Sequence, residues 1–177
     1  MRISWLLAAA LAGSLAADQD VSINAPYVET PPDVVAAMLR LAKVKRNDVV
    51  YDLGCGDGRI VIAAARRFGA RGVCIDLFPE HIATARRNAA RAGVARQIDF
   101  RVGDLFDADL RPATVVTLYL LPEVNRRLRP KLLSELRPGA RVVSHSFDMG
   151  DWAPDKRLEL RGSRLYYWVV PPKAAGE

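Results

Sequence analysis

The segment Asp52-Leu53-Gly54-Cys55-Gly56-Asp57-Gly58 constrains the fold of this chain more than any other stretch of it. Its first two residues end the apolar run Asp48-Val49-Val50-Tyr51-Asp52-Leu53, which reads as a short strand. It runs at once into Arg59 to Phe68, an alanine- and isoleucine-rich stretch that reads as a helix stopped by Gly69. A side chain at Gly54 or Gly56 would hold the backbone away from a ligand lying across the strand end, and Gly58 lets the helix start close against the sheet. The spacing is G-x-G-x-G, whereas a pyrophosphate-binding dinucleotide fold wants G-x-G-x-x-G. The acids Asp52 and Asp57 would repel phosphate. Such a loop suits a cationic ligand, one with an ammonium group and a sulfonium centre, and argues against a nicotinamide-dependent oxidoreductase.

The rest of the chain keeps the same alternation. Pro32 to Ala42 reads as a helix before the first strand, with proline at the start where it fits. Val73 to Asp76 reads as a second strand, and Pro79 to about Ala92 as a helix closed by Gly93. Ile98 to Val102 and Thr114 to Leu118 are the third and fourth strands. Pro122 to Leu136 is a helix that Pro130 should break in two. Arg141 to His145 is a fifth strand. Leu158–Leu160 and Leu165–Val170 read as a closing hairpin around Gly162-Ser163, and 171–177 as a frayed tail. Alternating strands and helices predict an α/β fold: a mostly parallel sheet with helices on both faces, an antiparallel edge, and a ligand site at the carboxyl ends of the strands.

At 177 residues, half of them hydrophobic and 26% charged, the chain has room for one core-bearing domain, here 32–170. That profile excludes disordered, collagenous and polytopic membrane classes. The two cysteines, Cys55 and Cys74, form no C-x-x-C or Cys/His cluster, so burial rather than zinc or a disulfide framework is expected to build the fold. Cys74 reads as a small core residue, and a Cys55–Cys74 bond as the lesser alternative. The N-terminus has another character. Met1-Arg2 precedes an apolar run of about ten residues, and Ser14 and Ala16 are small, so 1–16 reads as a signal peptide or short anchor, too short to span a bilayer. The mature chain is then expected to be exported or periplasmic, or membrane-associated if the segment is retained. Residues 17–31 would form a cap segment.

Net charge is +6, but the basic residues are scattered. Their densest group, Arg126, Arg127, Arg129 and Lys131, lacks interleaved aromatics and reads as a solvated helix face, not a specific nucleic-acid surface. Asp76 ends the second strand about 20 residues beyond the glycine loop, where a carboxylate can accept both hydrogen bonds of a ribose diol. Asp104 follows the third strand and can accept from an adenine amino group while Leu105 or Phe106 covers the ring. Alone, each acid would be a loop or capping residue. Together with the glycines they converge on one cleft. His145 reads as a hydrogen-bonded structural histidine and His81 as an exposed helix residue.

This constellation, running in order from Asp48 to about Phe147, resembles the class I S-adenosylmethionine-dependent methyltransferases. Ala25-Pro26-Tyr27-Val28-Glu29-Thr30-Pro31, Val50 to Val61 and Ser146-Phe147-Asp148-Met149-Gly150-Asp151-Trp152 are similar to the family of ATP synthase c-subunit lysine methyltransferases and their bacterial relatives. The resemblance implies a Rossmann-like seven-stranded methyltransferase sheet and S-adenosylmethionine as methyl donor. It implies donor contacts from Tyr27, Asp52, Gly54, Gly56, Asp57, Gly58, Asp76, Leu77, Asp104 and Leu105. It further implies a protein-lysine acceptor, with a small-molecule acceptor or a non-catalytic donor-binding protein as alternatives. A lysine must arrive neutral, which calls for an oxygen to take or orient its proton; Tyr119 and Asp148 are the candidate catalytic residues. No N-P-P-Y or D-P-P-Y segment follows the fourth strand, which disfavours an adenine or glutamine acceptor.

Overall fold

The computed structural model describes residues 28–173. The expected signal and Tyr27 lie outside the described residues. Seven strands and four helices follow one another as α1 (Pro32–Leu41), β1 (Val49–Leu53), α2 (Arg59–Phe68), β2 (Arg71–Asp76), α3 (Pro79–Arg91), β3 (Ile98–Val102), β4 (Val115–Leu118), α4 (Pro122–Glu135), β5 (Arg141–His145), β6 (Lys156–Leu160) and β7 (Ser163–Val169). Prolines open α1, α3 and α4, where a missing N–H costs nothing and the fixed φ suits the first turn. The α2 helix is bounded instead by two left-handed glycines, Gly58 and Gly69, and ends on Arg66 and Arg67, whose charges complement the helix dipole.

The strands form one sheet in the order β3-β2-β1-β4-β5-β7-β6. All neighbours are parallel up to β5, and β7 pairs antiparallel with both β5 and β6. From β1 the chain steps outward through β2 and β3, then returns to place β4 and β5 on the other side. The order therefore reverses between β1 and β4, and a cleft opens at their carboxyl ends. Pleating assigns the side chains. Tyr51, Leu53, Val116, Leu118, Val142 and Trp168 meet Val124, Leu128 and Leu132 of α4 on one face. Val50, Val115, Val143 and Leu165 meet α1 and α2 on the other. A third cluster joins α2 and α3 over β2 and β3. At the opposite end of the sheet, Arg141 donates to Asp48, which also accepts from the Thr114 hydroxyl and the Lys45 amide. These partners hold Asp48 below its ordinary value although its burial pushes the other way.

Two expectations fail here. Pro130 does not divide α4, which is continuous from Pro122 to Glu135. Pro130 and Arg126 are both exposed, so the carbonyl that loses its N–H faces water, while Val124, Leu128 and Leu132 stay anchored. Cys55 and Cys74 are joined in a disulfide with Cα atoms 5.3 Å apart. In the parallel register Cys74 lies beside Asp52, and the turn after Leu53 brings Cys55 back over β2.

Candidate active site

The glycine loop is fastened to β2 by its own backbone. The amides of Gly54 and Cys55 both donate to the Ile75 carbonyl, at 2.8 and 3.0 Å, and Gly56 N donates to Asp76 Oδ2 at 2.8 Å. Gly54, Gly56 and Gly58 all have positive φ, between 53° and 78°, where a side chain is strained. A Cβ on Gly54 would stand 2.8 Å from Leu120 Cδ2, inside the cleft wall. Gly58 has another job than expected: a Cβ there would lie 2.9 Å from Ala85 Cβ, so the glycine lets α2 pack against α3, not against the sheet.

The acids divide by environment. Asp52 is 3% exposed, accepts from Thr117 Oγ1 at 2.8 Å, and is pushed up to about 7 by burial; the Thr117 hydroxyl opposes the shift and the nearby Asp76 and Asp57 charges add to it. The folded state thus holds a proton that the unfolded state releases near pH 4. Stability should fall as pH rises from about 4 to about 7 and be flat beyond, a loss of up to about 4 kcal/mol at 1.36 per pH unit. Chemical denaturation across that range is the check: Asp52→Asn, which keeps the shape without the charge, should flatten the slope, and an identical slope in both proteins would contradict it.

Asp57, expected to meet the donor's ammonium side, is held by Arg59 in a two-pronged pair, Nε to Oδ1 at 2.9 Å and Nη2 to Oδ2 at 2.7 Å. Arg59 also reaches Glu29 Oε1 at 2.8 Å, and the two carboxylates, Asp57 first, raise its pKa above the ordinary arginine value. The loop is therefore less negative than its letters suggest. Asp76 Oδ1 accepts from Phe78 N at 3.1 Å and lies 3.0 Å from His81 Nδ1, while Oδ2 holds Gly56 N. A carboxylate has about four acceptor sites, so three are engaged and one, on Oδ2, is left for a ligand hydroxyl. Asp104 Oδ1 caps the Phe106 amide at 2.8 Å.

The cleft is lined by Asp52, Gly54, Cys55, Asp57, Asp76, Leu77, Asp104, Leu105 and Tyr119 among others. Gly56 and Gly58, also expected to contact the donor, are not among the residues that line it. Tyr119 stands at the end of β4 with its ring on that of His145, centroids 4.0 Å apart. Asp148 is not brought in: it is exposed, and its Oδ1 accepts from Gly150 N at 3.0 Å in a local turn. The basic group on α4 is likewise occupied, Arg126 with Glu123, Lys131 with Glu135, Arg129 with the Met149 carbonyl, and Arg127 over the Phe106 ring.

Sequence reasoning passed over Thr117, Arg59 and Thr30 and read His81 as an exposed helix residue, whereas its side chain is partly buried in the cleft wall. His81 follows Asp76 by five residues and lines the cleft, so a helix beginning at Pro79 could have placed it there. The others depend on contacts 29 to 115 residues apart. The residues present fit S-adenosylmethionine. A bare backbone turn lies under the cleft, a carboxylate keeps one acceptor site at the second strand, and apolar Ile75, Leu77, Phe78 and Leu105 flank the place for a flat ring.

Comparison with known proteins agrees. The model of the ANTKMT methyltransferase domain matches residues 52–156. A protein-lysine N-methyltransferase of Saccharolobus islandicus is 44% identical over 147 residues, 82% of this chain and 91% of that protein. The ATP synthase c-subunit lysine N-methyltransferase of Xenopus laevis is 35% identical over 130 residues, 73% of this chain but 57% of its own length. Among solved structures, an RNA methyltransferase of Salinibacter ruber in complex with S-adenosyl-L-homocysteine superposes with a TM-score of 0.82 at 57% identity, covering 85% of this chain and 98% of that one. Glycine turn, acids and topology thus lead to one conclusion: the chain belongs to the ANTKMT methyltransferase domain family, whose members take their methyl group from S-adenosylmethionine.

Proposed function

We propose that the acceptor is a protein lysine. The observation that carries this reading is the 44% identity, over 82% of this chain and 91% of the other, to the archaeal protein-lysine N-methyltransferase. When bound, S-adenosylmethionine supplies an electrophilic methyl on a sulfonium. Asp76 would receive the ribose, Asp104 the adenine edge, Leu77 and Leu105 its faces, and Asp52 the ammonium side, whose charge would favour the ionised form that burial alone disfavours. Tyr119, across β1 from Asp76, orients the incoming amine in line with the methyl. Holding nucleophile and electrophile together in a site poor in water is most of the catalysis such a displacement needs.

A second reading has its own support, since the Salinibacter ruber protein is an RNA methyltransferase. Incubating the purified chain with labelled donor and a cell extract separates the readings. Label that survives ribonuclease and is lost to protease, with acid hydrolysis returning methyl-lysine, supports the lysine reading. Label lost to ribonuclease favours RNA, and no label with saturable donor binding leaves a binding protein.

We further propose that residues 1–16 direct the chain out of the cytoplasm. The basic start and apolar run support it, and so does the disulfide, since such bonds persist in oxidising compartments. Because the donor is made in the cytoplasm, an exported chain would have to carry it across or retain the segment as an anchor. Sequencing the N-terminus of the native protein is the test: Ala17 as first residue supports cleavage, and Met1 supports an anchor.

A further inference from the structure

We propose that Thr30, Arg59 and His145 latch the segment Val28–Thr30 as a strap along the donor cleft, so that Arg59 and His145 are positioning residues for donor binding. The proposal rests on the methyltransferase reading and adds to it residues that bind through another part of the chain. Val28, Glu29 and Thr30 all line the cleft, although they precede the first helix and belong to no regular element.

Two attachments hold them. From α2, Arg59 Nη1 donates to the Thr30 carbonyl at 3.0 Å while Nη2 meets Glu29 at 2.8 Å. From β5, His145 Nδ1 lies 3.3 Å from Thr30 Oγ1. Thr30 and His145 are 4% and 3% exposed, and the histidine ring lies tilted against that of Tyr119, 34° between the planes. Burial keeps His145 below its ordinary value and so favours the neutral ring, which can accept the threonine hydroxyl proton at Nδ1. Through these contacts the same residue, Thr30, ties the strap to the glycine loop by way of Arg59 and Asp57, and to the acceptor end by way of His145 and Tyr119.

Burial ranks the two attachments. The Glu29 side chain is 59% exposed, so its ion pair with Arg59 is screened and weak. The Thr30–His145 bond is shielded from water, and leaving one buried partner unpaired is costly. Isothermal calorimetry on the full chain with S-adenosylhomocysteine as probe is the experiment, together with hydrogen exchange of the 28–31 amides in the bound state.

Thr30→Val, which keeps the shape and removes the hydroxyl, should weaken binding about five-fold and raise exchange in the strap, whereas Thr30→Ser should stay within about two-fold of wild type. Glu29→Ala should cost less than about two-fold. The double variant Thr30→Val/His145→Phe should bind no more weakly than His145→Phe alone, because both changes remove one bond. Thr30→Val that binds as wild type overturns the proposal. So does a lowered Tm without loss of affinity, which marks a purely structural contact, and so do additive losses in the double variant. Should His145→Phe fail to fold, the Thr30→Val and Thr30→Ser pair decides alone. A wild-type chain that does not bind the probe would sink the donor reading itself, an outcome distinct from any of these.

Discussion

Asp76→Ala should lower the affinity for S-adenosylhomocysteine about 100-fold or more, the equivalent of about 3 kcal/mol. The size of the effect comes from the number of groups that this carboxylate organises. Its two oxygens hold the Gly56 amide, the Phe78 amide and the His81 ring, and the remaining acceptor site is the one the proposed donor pose gives to the ribose. Hydrogen bonds to a charged group contribute about 1.5–3 kcal/mol each, and here a lost ligand bond coincides with a loosened loop. Asp76→Asn should fall in between, because one oxygen can still accept while the amide nitrogen now opposes a backbone N–H. Calorimetry reads both. Binding of Asp76→Ala within about three-fold of wild type would mean that the donor lies elsewhere in the cleft.

Reducing the Cys55–Cys74 bond should destabilise the fold more than it weakens the site. The bond closes a loop of 19 residues, for which the chain-entropy account gives about 3 kcal/mol. In a domain of this size that is a fall of about 6–12 °C in Tm. Donor affinity should change far less, because the Gly54, Cys55 and Gly56 amides stay bonded to Ile75 and Asp76 whether or not the sulfurs are joined. Differential scanning calorimetry with and without a dithiol reductant, and on Cys55→Ala/Cys74→Ala, measures the first effect; titration with S-adenosylhomocysteine measures the second. Equal Tm values in the two conditions would show that the thiols are free in solution.

What could be read from the letters, and what could not, divides along a physical line. The strands and helices of the parallel half announce themselves through local period and through punctuation by proline and glycine, so β1, α2, α3 and β3 stand close to where the chain placed them. Asp52, Asp76 and Asp104 were visible because each lies in the last two residues of a strand or just after one. Their partners were not. Thr117 pairs with Asp52 only because β1 and β4 align those two positions, and Thr30 meets His145 across 115 residues. The cysteines show the same limit. Neighbouring strand ends could be seen to bring them near each other, yet a bond was the lesser alternative because Cys74 also reads as a core residue; only the register of β1 on β2, with Cys74 next to Asp52, puts it within reach of the turn that follows. Pro130 fails for the opposite reason: a local rule overrode the apolar positions that anchor its helix on either side. Asp148 was drawn in by its place after the fifth strand and by the likeness of the segment around it, but its exposed carboxylate serves the turn it sits in.

The far margin of the sheet carries a consequence for how such a molecule survives at high concentration. Among the described residues strand β6 has a neighbour on one side only, and its Lys156, Arg157 and Glu159 are all exposed. A second polypeptide adding there as an eighth strand would have to bring its own backbone up against those charges and strip their water. Crowded copies are thereby discouraged from zipping into fibrils along this border, where free amide and carbonyl groups would otherwise invite it.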